Sequence, residues 1–305
     1  MFFRNISLFR FPPSVSKRLK NLESDLETRR LRPCGPQELA THGFVSPYGR
    51  DSTVLMHREG RFSLVALGGE ERVLPDVVVR ETVAQKLVEH AAKHGRRSGG
   101  RERKRLKEDV ISELLPRAFI RPSRLMAYLD AEDGWLIVDT ASRKAAERMV
   151  GQLREALGRF PATPAASKES PRTVMTSWLG HGKIPDDLDL GDECELRDPA
   201  EAGAIARCRR QDLESDEVRG HLKSGKQVFQ LGLGFDDRLE LVLGEDLVIR
   251  KLRFLDGVQE GLDAGDAPSA EDELAAQFAL MTLEHQRLLS RMNQWFGLVR
   301  PGDRD

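Results

Sequence analysis

The chain has 305 residues, 39% of them apolar and 32% charged, with a formal net charge of −1. That mix is enough for two or three packed cores and excludes a chain disordered throughout. A near-neutral total also excludes a uniformly basic protein, but the charge is unevenly placed. Residues 93–107 (KHGRRSGGRERKRLK) carry eight Lys or Arg against one Glu, and residues 186–201 (DDLDLGDECELRDPAE) carry eight acids against one Arg. Local fields follow that placement rather than the sum.

Asn5–Phe11 alternates polar and apolar residues, which predicts a half-buried strand ended by Pro12 and Pro13. Ser14 or Ser16 caps a helix with Val15, Leu19, Leu22 and Leu26 on its apolar face. A loop over Arg32–Pro36 leads to two strands, Thr53–His57 and Arg61–Leu67, joined around Glu59-Gly60; a third, Arg72–Leu74, stops at Pro75. Asp76–His94 reads as a helix with Val79, Val83, Leu87 and Ala91 on one face. Gly95, Gly99 and Gly100 interrupt the basic stretch, and a second helix, Glu102–Leu115, carries Leu106, Val110, Ile111 and Leu114 before Pro116. This pair, residues 76–116, is expected to protrude as a helical tip subdomain between β segments.

Strands return at Arg124–Asp130 and Trp135–Asp139 around the turn Glu132-Asp133-Gly134, and Ser142 caps a helix to Leu157. Residues 1–75 and 117–160 are thus expected to form a central α+β domain. Pro161, Pro164 and Pro171 mark a polar linker into a C-terminal α+β base domain, residues 161–305. There the pattern predicts a short helix at Thr173–Leu179, a solvated acidic loop over 186–201, a strand at Ala204–Arg209 and a Ser215-capped helix to Leu222 bearing Val218. Strands Gln227–Phe235, Arg238–Leu243 and Leu247–Leu255 follow, turning at Asp236-Asp237 and Gly244–Asp246. Residues 256–273 read as a mobile acidic loop. Ala270–Trp295 is the longest helix, with Leu274, Phe278, Met281, Leu288 and Met292 apolar, and the tail from Pro301 is expected to be disordered. Strands in runs predict an α+β fold with antiparallel, hairpin-built sheets and not a doubly wound one.

Catalytic signatures are missing: there is no Walker A motif, no GxGxxG after a strand, no HExxH and no GxSxG. No enzyme, cofactor or metal is expected. His90 and His94 could share a helix face but have no Cys or carboxylate partner at ligand spacing, and Asp186, Asp187 and Asp189 lack the Gly-and-Glu pattern of a calcium loop. Gly232-Leu233-Gly234 reads as a strand bulge or a close backbone approach. Cys34, Cys194 and Cys208 lie far apart, which predicts reduced thiols. The opening MFFRNISLFRF is too charged and short for a signal-peptide core, and no run approaches the ~18 apolar residues of a membrane span. A soluble cytoplasmic protein with no membrane partner is expected. The basic stretch has two readings, a solvated helix junction or a phosphate-contacting surface. Sparse aromatics argue against single-strand stacking, and no base-reading helix is evident.

A set of ordered blocks carries a resemblance: MFFRNISLFRF, RPCG at 32–35, LLPRAF at 114–119, WLIVDTAS at 135–142, RRQDLESDEV at 209–218, SGKQVFQLGL at 224–233 and LMT at 280–282. As a set spanning nearly the whole chain, they resemble the recombination-associated RdgC family. The resemblance implies a ring-shaped homodimer in the nucleoid that binds double-stranded DNA with little sequence preference and restrains RecA-driven recombination. It implies a protomer-contacting aromatic at Phe119, which the residues alone would equally read as a core aromatic. It also implies DNA contacts at Arg210 and Gln211, to which Arg209 adds charge; alone, Arg210 reads as a solvated strand-end arginine. Arg103, Lys104 and Arg105 of the basic stretch are the second candidate DNA surface. The competing expectations are a regulator that meets the recombinase directly through its acidic surfaces and a nuclease or other enzyme on DNA, which would need converging carboxylates with a metal site.

Overall fold

A computed structural model describes residues 1–96, 98–200, 203–258 and 269–302. In chain order its elements are β1 (Ser7–Arg10), α1 (Pro13–Arg18), α2 (Leu22–Glu27), β2 (Ala40–Val45), β3 (Met56–Glu59), β4 (Phe62–Val73), α3 (Asp76–His94), α4 (Gly100–Leu114), β5 (Phe119–Asp130), β6 (Trp135–Val138), α5 (Arg143–Leu157), β7 (Thr163–Pro164), β8 (Ala166–Ser167), α6 (Pro171–His181), β9 (Leu188–Arg197), β10 (Ile205–Arg209), α7 (Asp216–Lys223), β11 (Gln227–Phe235), β12 (Leu239–Gly244), β13 (Ile249–Phe254), α8 (Ala270–Phe296) and β14 (Leu298–Val299). The fold is α+β with antiparallel sheets, as the runs of strands predict.

The larger sheet runs β2-β4-β5-β6-β1-β7, with β3 also on β4. Its spine is a long ribbon: β4 and β5 pair without a register break from Phe62↔Asp130 to Val73↔Phe119. The two strands expected at 61–67 and 72–74 are therefore one. Gly68 and Gly69, which interrupt the apolar pattern, stay in the ladder against Arg124 and Ser123. The partner strand likewise starts at Phe119, five residues before the expected Arg124, because pairing rather than apolar content fixes its start. The helices α3 and α4 are spliced into the far end of this ribbon. Gly95, at φ 65°, ends α3 by turning its N–H back to Ala91.

One face of the larger sheet is covered by α1, α2 and α5, which bury Val15, Leu19, Leu22 and Leu26 against Phe44, Val65, Leu136 and Met149. The expected first helix is broken by a 3₁₀ turn at Leu19–Asn21, and neither Ser14 nor Ser16 caps it. Pro13 starts it instead, and Ser16 donates to the Ala131 carbonyl. Ser142 does cap α5, accepting from Ala145 N–H at 3.4 Å. The other face meets α8 and the smaller sheet, where a single buried core joins Phe3, Leu64, Tyr128 and Ile137 to Leu231, Phe278 and Met292. Within it Tyr128 Oη lies 3.0 Å from His285 Nδ1, both side chains buried.

The smaller sheet runs β10-β9-β11-β12-β13. Its second strand corrects an expectation: residues 186–201 contain no solvated loop over most of their length but the strand β9. Leu188, Cys194 and Leu196 are buried in it; Asp189 and Asp192 are exposed, and Glu195 is buried and held by Arg197 and Arg207. The charge density masked the buried apolar positions. Gly191 and Gly232 cross so closely that a Cβ on Gly191 would sit 2.9 Å from the Gly232 carbonyl carbon, and the β11/β9 register shifts there. Asp236 and Asp237 hold the β11–β12 hairpin at φ 53° and 51°. Ser215 sits at the N-cap of α7 without making a cap bond. The linker expected at 161–171 supplies β7, paired with β1, and β8, paired with β14. The expected mobile loop lies largely outside the described residues, as do residues 303–305 of the tail. Among the described residues, no helix is long and apolar enough to cross a membrane.

Candidate nucleic-acid interface

The RRQDL block begins where β10, the edge strand, ends. Inside the sheet, arginines are spent on acids: Arg207 donates to Glu195 Oε2 at 2.7 Å and Arg197 to Oε1 at 2.7 Å. Burial acts to raise the Glu195 carboxyl, but these two hydrogen bonds outweigh it and leave it below its ordinary value. The next two arginines differ. Arg209 and Arg210 are exposed, and neither has a carboxylate partner among the described residues. Arg210 is held at φ 53°, a left-handed conformation costly for a side chain with a Cβ, which turns the chain out of the sheet. Gln211 then returns, its N–H donating to the Asp192 carbonyl at 3.1 Å and its side-chain amide to Glu217 Oε2 at 2.8 Å. Leu213 is buried and anchors the turn. The three predicted residues are thus unequal: two free guanidiniums, and a glutamine whose amide N–H is already engaged.

The surroundings of Arg210 are mixed. It lines a groove of about 910 Å³ together with Asp189, Asp192, Glu193, Asp212, Asp237 and Glu240. Two cations in that groove are neutralised locally, Lys251 by Glu193 at 2.5 Å and Arg253 by Glu240 at 3.1 Å. A polyanion approaching Arg209 and Arg210 therefore meets them at the rim of an acidic surface.

At the other end of the chain, α4 presents the second set. Arg103, Lys104 and Arg105 are all exposed. Arg103 Nε donates back to the Ser98 carbonyl at 3.2 Å, Lys104 lies 4.0 Å from Glu108, and Arg105 has no partner among the described residues. Glu102, the lone acid of the stretch, holds Arg96 at 2.6 Å, and Arg97 lies outside the described residues. Among the described residues, no ion pair or hydrogen bond joins the two basic sets.

Phe119 stands where the helical pair joins the ribbon, opposite Val73, and is 88% exposed. That excludes the core-aromatic reading. Val73, Val77, Val78 and Ile120 are exposed as well. Exposed apolar groups clustered around an aromatic ring are costly in water and mark a contact surface. Sequence reasoning missed part of this surface. Val77 and Val88 lie on α3 opposite its packed face of Val79, Val83 and Leu87, and both are exposed. The signal was available, because α3 is apolar on two sides although a helix packed on one neighbour needs only one apolar stripe.

Among the described residues, no three His, Cys, Asp or Glu side chains converge as metal ligands would. His90 and His94 face one another with ring centroids 4.3 Å apart, and Ser98 Oγ is 3.1 Å from His90 Nδ1. Asp187 is engaged by Arg291 at 2.5 and 2.7 Å.

These features define an antiparallel α+β protein whose candidate site is an exposed surface of charge and apolar groups rather than a closed catalytic pocket. A family model described as "Putative exonuclease, RdgC" matches residues 1–299. The chain is 47% identical over 289 residues to the recombination-associated protein RdgC of Xanthomonas campestris pv. campestris (strain B100), covering 94% of this chain and 95% of that protein. It is 48% identical over the same length, with the same coverage, to the RdgC protein of Xylella fastidiosa (strain 9a5c). The chain belongs to the RdgC family. The two descriptions differ: the family model names a nuclease, whereas these relatives are named only for recombination.

Proposed function

We propose that this protein is a non-enzymatic clamp on duplex DNA. It acts as a ring-shaped homodimer that binds without sequence preference in the nucleoid of the cytoplasm and restrains RecA-dependent recombination. The observation that carries this reading is the pair Arg209–Arg210, adjacent, exposed and without carboxylate partners among the described residues, at the end of an edge strand whose neighbouring Arg197 and Arg207 are both bound to Glu195. Free guanidiniums match phosphate oxygens in fork geometry and are indifferent to base identity. A twofold assembly presents each of them twice. Phe119, Ile120 and Val73 supply the apolar anchor of one contact between protomers, with residues 76–116 as the tip, 1–75 and 117–160 as the centre and 161–305 as the base.

The acidic groove beside Arg210 supports a second reading, direct contact with a basic surface of the recombinase. One experiment separates the readings. Arg209→Ala with Arg210→Ala should weaken binding to all duplexes alike and lower the salt slope by roughly one per lost phosphate contact. Gln211→Ala should do less, with little salt dependence. If neutralising Arg103, Lys104 and Arg105 matters and the arginine pair does not, the tip contacts DNA and the base turn does not. If purified protein leaves duplex unbound but captures recombinase, the second reading replaces the first. Stoichiometry-exceeding cleavage of linear duplex with Mg²⁺, surviving repurification, would establish the nuclease instead.

A further inference from the structure

Cys194 and Cys208, remote in the sequence reading, are direct partners across β9 and β10. Both thiols are free and buried. Burial, reinforced by the neighbouring Cys208, pushes the Cys194 thiol up to about 12. A cavity of about 80 Å³ reaches them, lined also by Glu193, Arg207, Arg209 and Gln230. At ~30 Å³ of liquid volume per water, that is room for about two waters or one small hydroperoxide. No strand covers β10 on its far side among the described residues, so Cys208 lies on the edge strand and Cys194 on the strand next to it.

We propose that Cys194 and Cys208 form an oxidation site, at which a hydroperoxide converts the two thiols into a cross-strand disulfide that alters the Arg209–Arg210 turn. The first half stands on its own; the effect on the turn's binding rests on the DNA-clamp reading. Directly opposed residues of an antiparallel pair have Cα atoms ~4.5 or ~5.5 Å apart, and both spacings fall within the ~4.4–6.8 Å that disulfides span. Asp198 donates its N–H to the Ala204 carbonyl, and alternation along the ladder puts Cys208 and Cys194 in the same hydrogen-bonded, wider class. Opposed Cβ atoms are ~4.5–5.5 Å apart, wider in this class, whereas a disulfide needs ~3.5–4.5 Å, so closing the bond draws the two strands together, and β10 leads directly into Arg210 with its constrained φ of 53°. A bridge formed under such strain is more oxidising than a relaxed one and is readily reversed by thiols.

One thiol sulfur attacks the O–O bond, which breaks to give a sulfenic acid and the alcohol, or water when the oxidant is hydrogen peroxide. The second sulfur then displaces water from the sulfenic sulfur and the S–S bond forms. Each sulfur loses one electron, the peroxide gains two, and the two thiol protons leave in the alcohol and water. Because the thiolate is the attacking species and these thiols are held protonated, the pair responds to sustained rather than brief exposure. Cys34 is an internal control, since its Sγ donates to the Glu38 carbonyl at 3.3 Å and has no neighbouring thiol.

The test treats the intact protein with hydrogen peroxide, alkylates remaining thiols and maps the peptides. Expected is a cross-linked peptide joining Cys194 to Cys208, two hydrogens lighter than the free pair and reversed by dithiothreitol, with Cys34 alkylated throughout. The link should be absent from both Cys208→Ser and Cys208→Ala, two variants so that one misfolded protein does not decide the result. Duplex affinity of the oxidised protein should shift by about threefold or more relative to the reduced protein, and the shift should vanish in the variants. Both cysteines remaining fully alkylatable after prolonged peroxide overturns the site. A disulfide with unchanged duplex affinity overturns its coupling to the turn. Failure of the reduced protein to bind duplex defeats the clamp reading instead, and the peptide map still decides the site.

Discussion

The helical tip and the smaller-sheet base both present cations, but they hold them differently. In the base, Arg209 and Arg210 extend from a strand whose neighbours are buried on one face, and the turn is fixed by Gln211, Glu217 and Leu213. In the tip, α3 and α4 pack mainly on one another, with Val79 and Val110 buried and the remaining apolar contacts only half-buried. The base offers two charges at a defined place beside acids that repel a misplaced phosphate. The tip offers more charge on a thinly packed pair of helices. In the proposed clamp, position favours the base as the contact that fixes register, and charge density favours the tip as the field that gathers DNA. The apolar residues divide less sharply: the base exposes Ile205, Leu283 and Val299, whereas the tip and its root expose Phe119, Val77, Val78 and Val88.

The largest expected effect tests the difference in packing. Phe278, fully buried where α8 crosses the larger sheet, makes edge contacts with Tyr128 and Phe62. Phe278→Ala should cost about 3–5 kcal/mol of global stability. Val110→Ala in the tip should cost roughly 1–2 kcal/mol and appear as faster hydrogen exchange confined to residues 76–116. Equal losses, or an exchange signal spread through both sheets from Val110→Ala, would show the tip to be part of the main cooperative unit.

A smaller effect concerns the exposed apolar root. Phe119→Ala should weaken one contact between protomers by about 2 kcal/mol, as truncation of an interface aromatic does. In the proposed ring a second contact would keep the protein dimeric, so the readout is the ratio of binding to circular and linear duplex rather than mass. Parental affinity on both DNA forms would remove Phe119 from the interface.

The smallest effect is a pH dependence that belongs to the core alone. Burial depresses the His285 imidazole to about 3. The unfolded chain takes up a proton near pH ~6.5 and the folded one does not, so the unfolded state binds more protons between those values. Stability is full above pH ~6.5 and falls as pH drops toward 3, by roughly 1 kcal/mol at pH 5.5. Chemical denaturation at pH 7.5 and 5.5 should show this loss, and His285→Asn should flatten it. A loss that persists in the variant would assign the acid sensitivity to other groups.

Local periodicity made much of this legible. Asp76–His94 appears as read, α8 differs by one residue, and Gln227–Phe235 is the predicted strand, because each carries a dominant apolar repeat, as in Val79, Val83 and Leu87 or Leu231, Leu233 and Phe235, and a clear stop. The ordered blocks were enough to reach the family. The helix stop before Phe119 was visible, but not the exposure of the ring, since that depends on what the fold fails to bring against it. Long-range pairing decided the rest. The ladder with β4 carried β5 back to Phe119, and burial of Cys194 and Leu196 turned an apparent acidic loop into an inner strand. The same antiparallel register set Cys194 against Cys208 and ended β10 so that Arg209 and Arg210 project free. A sequence records which faces are apolar, but which strand lies opposite which, and hence which side chains meet, is settled only when distant segments bury those faces together.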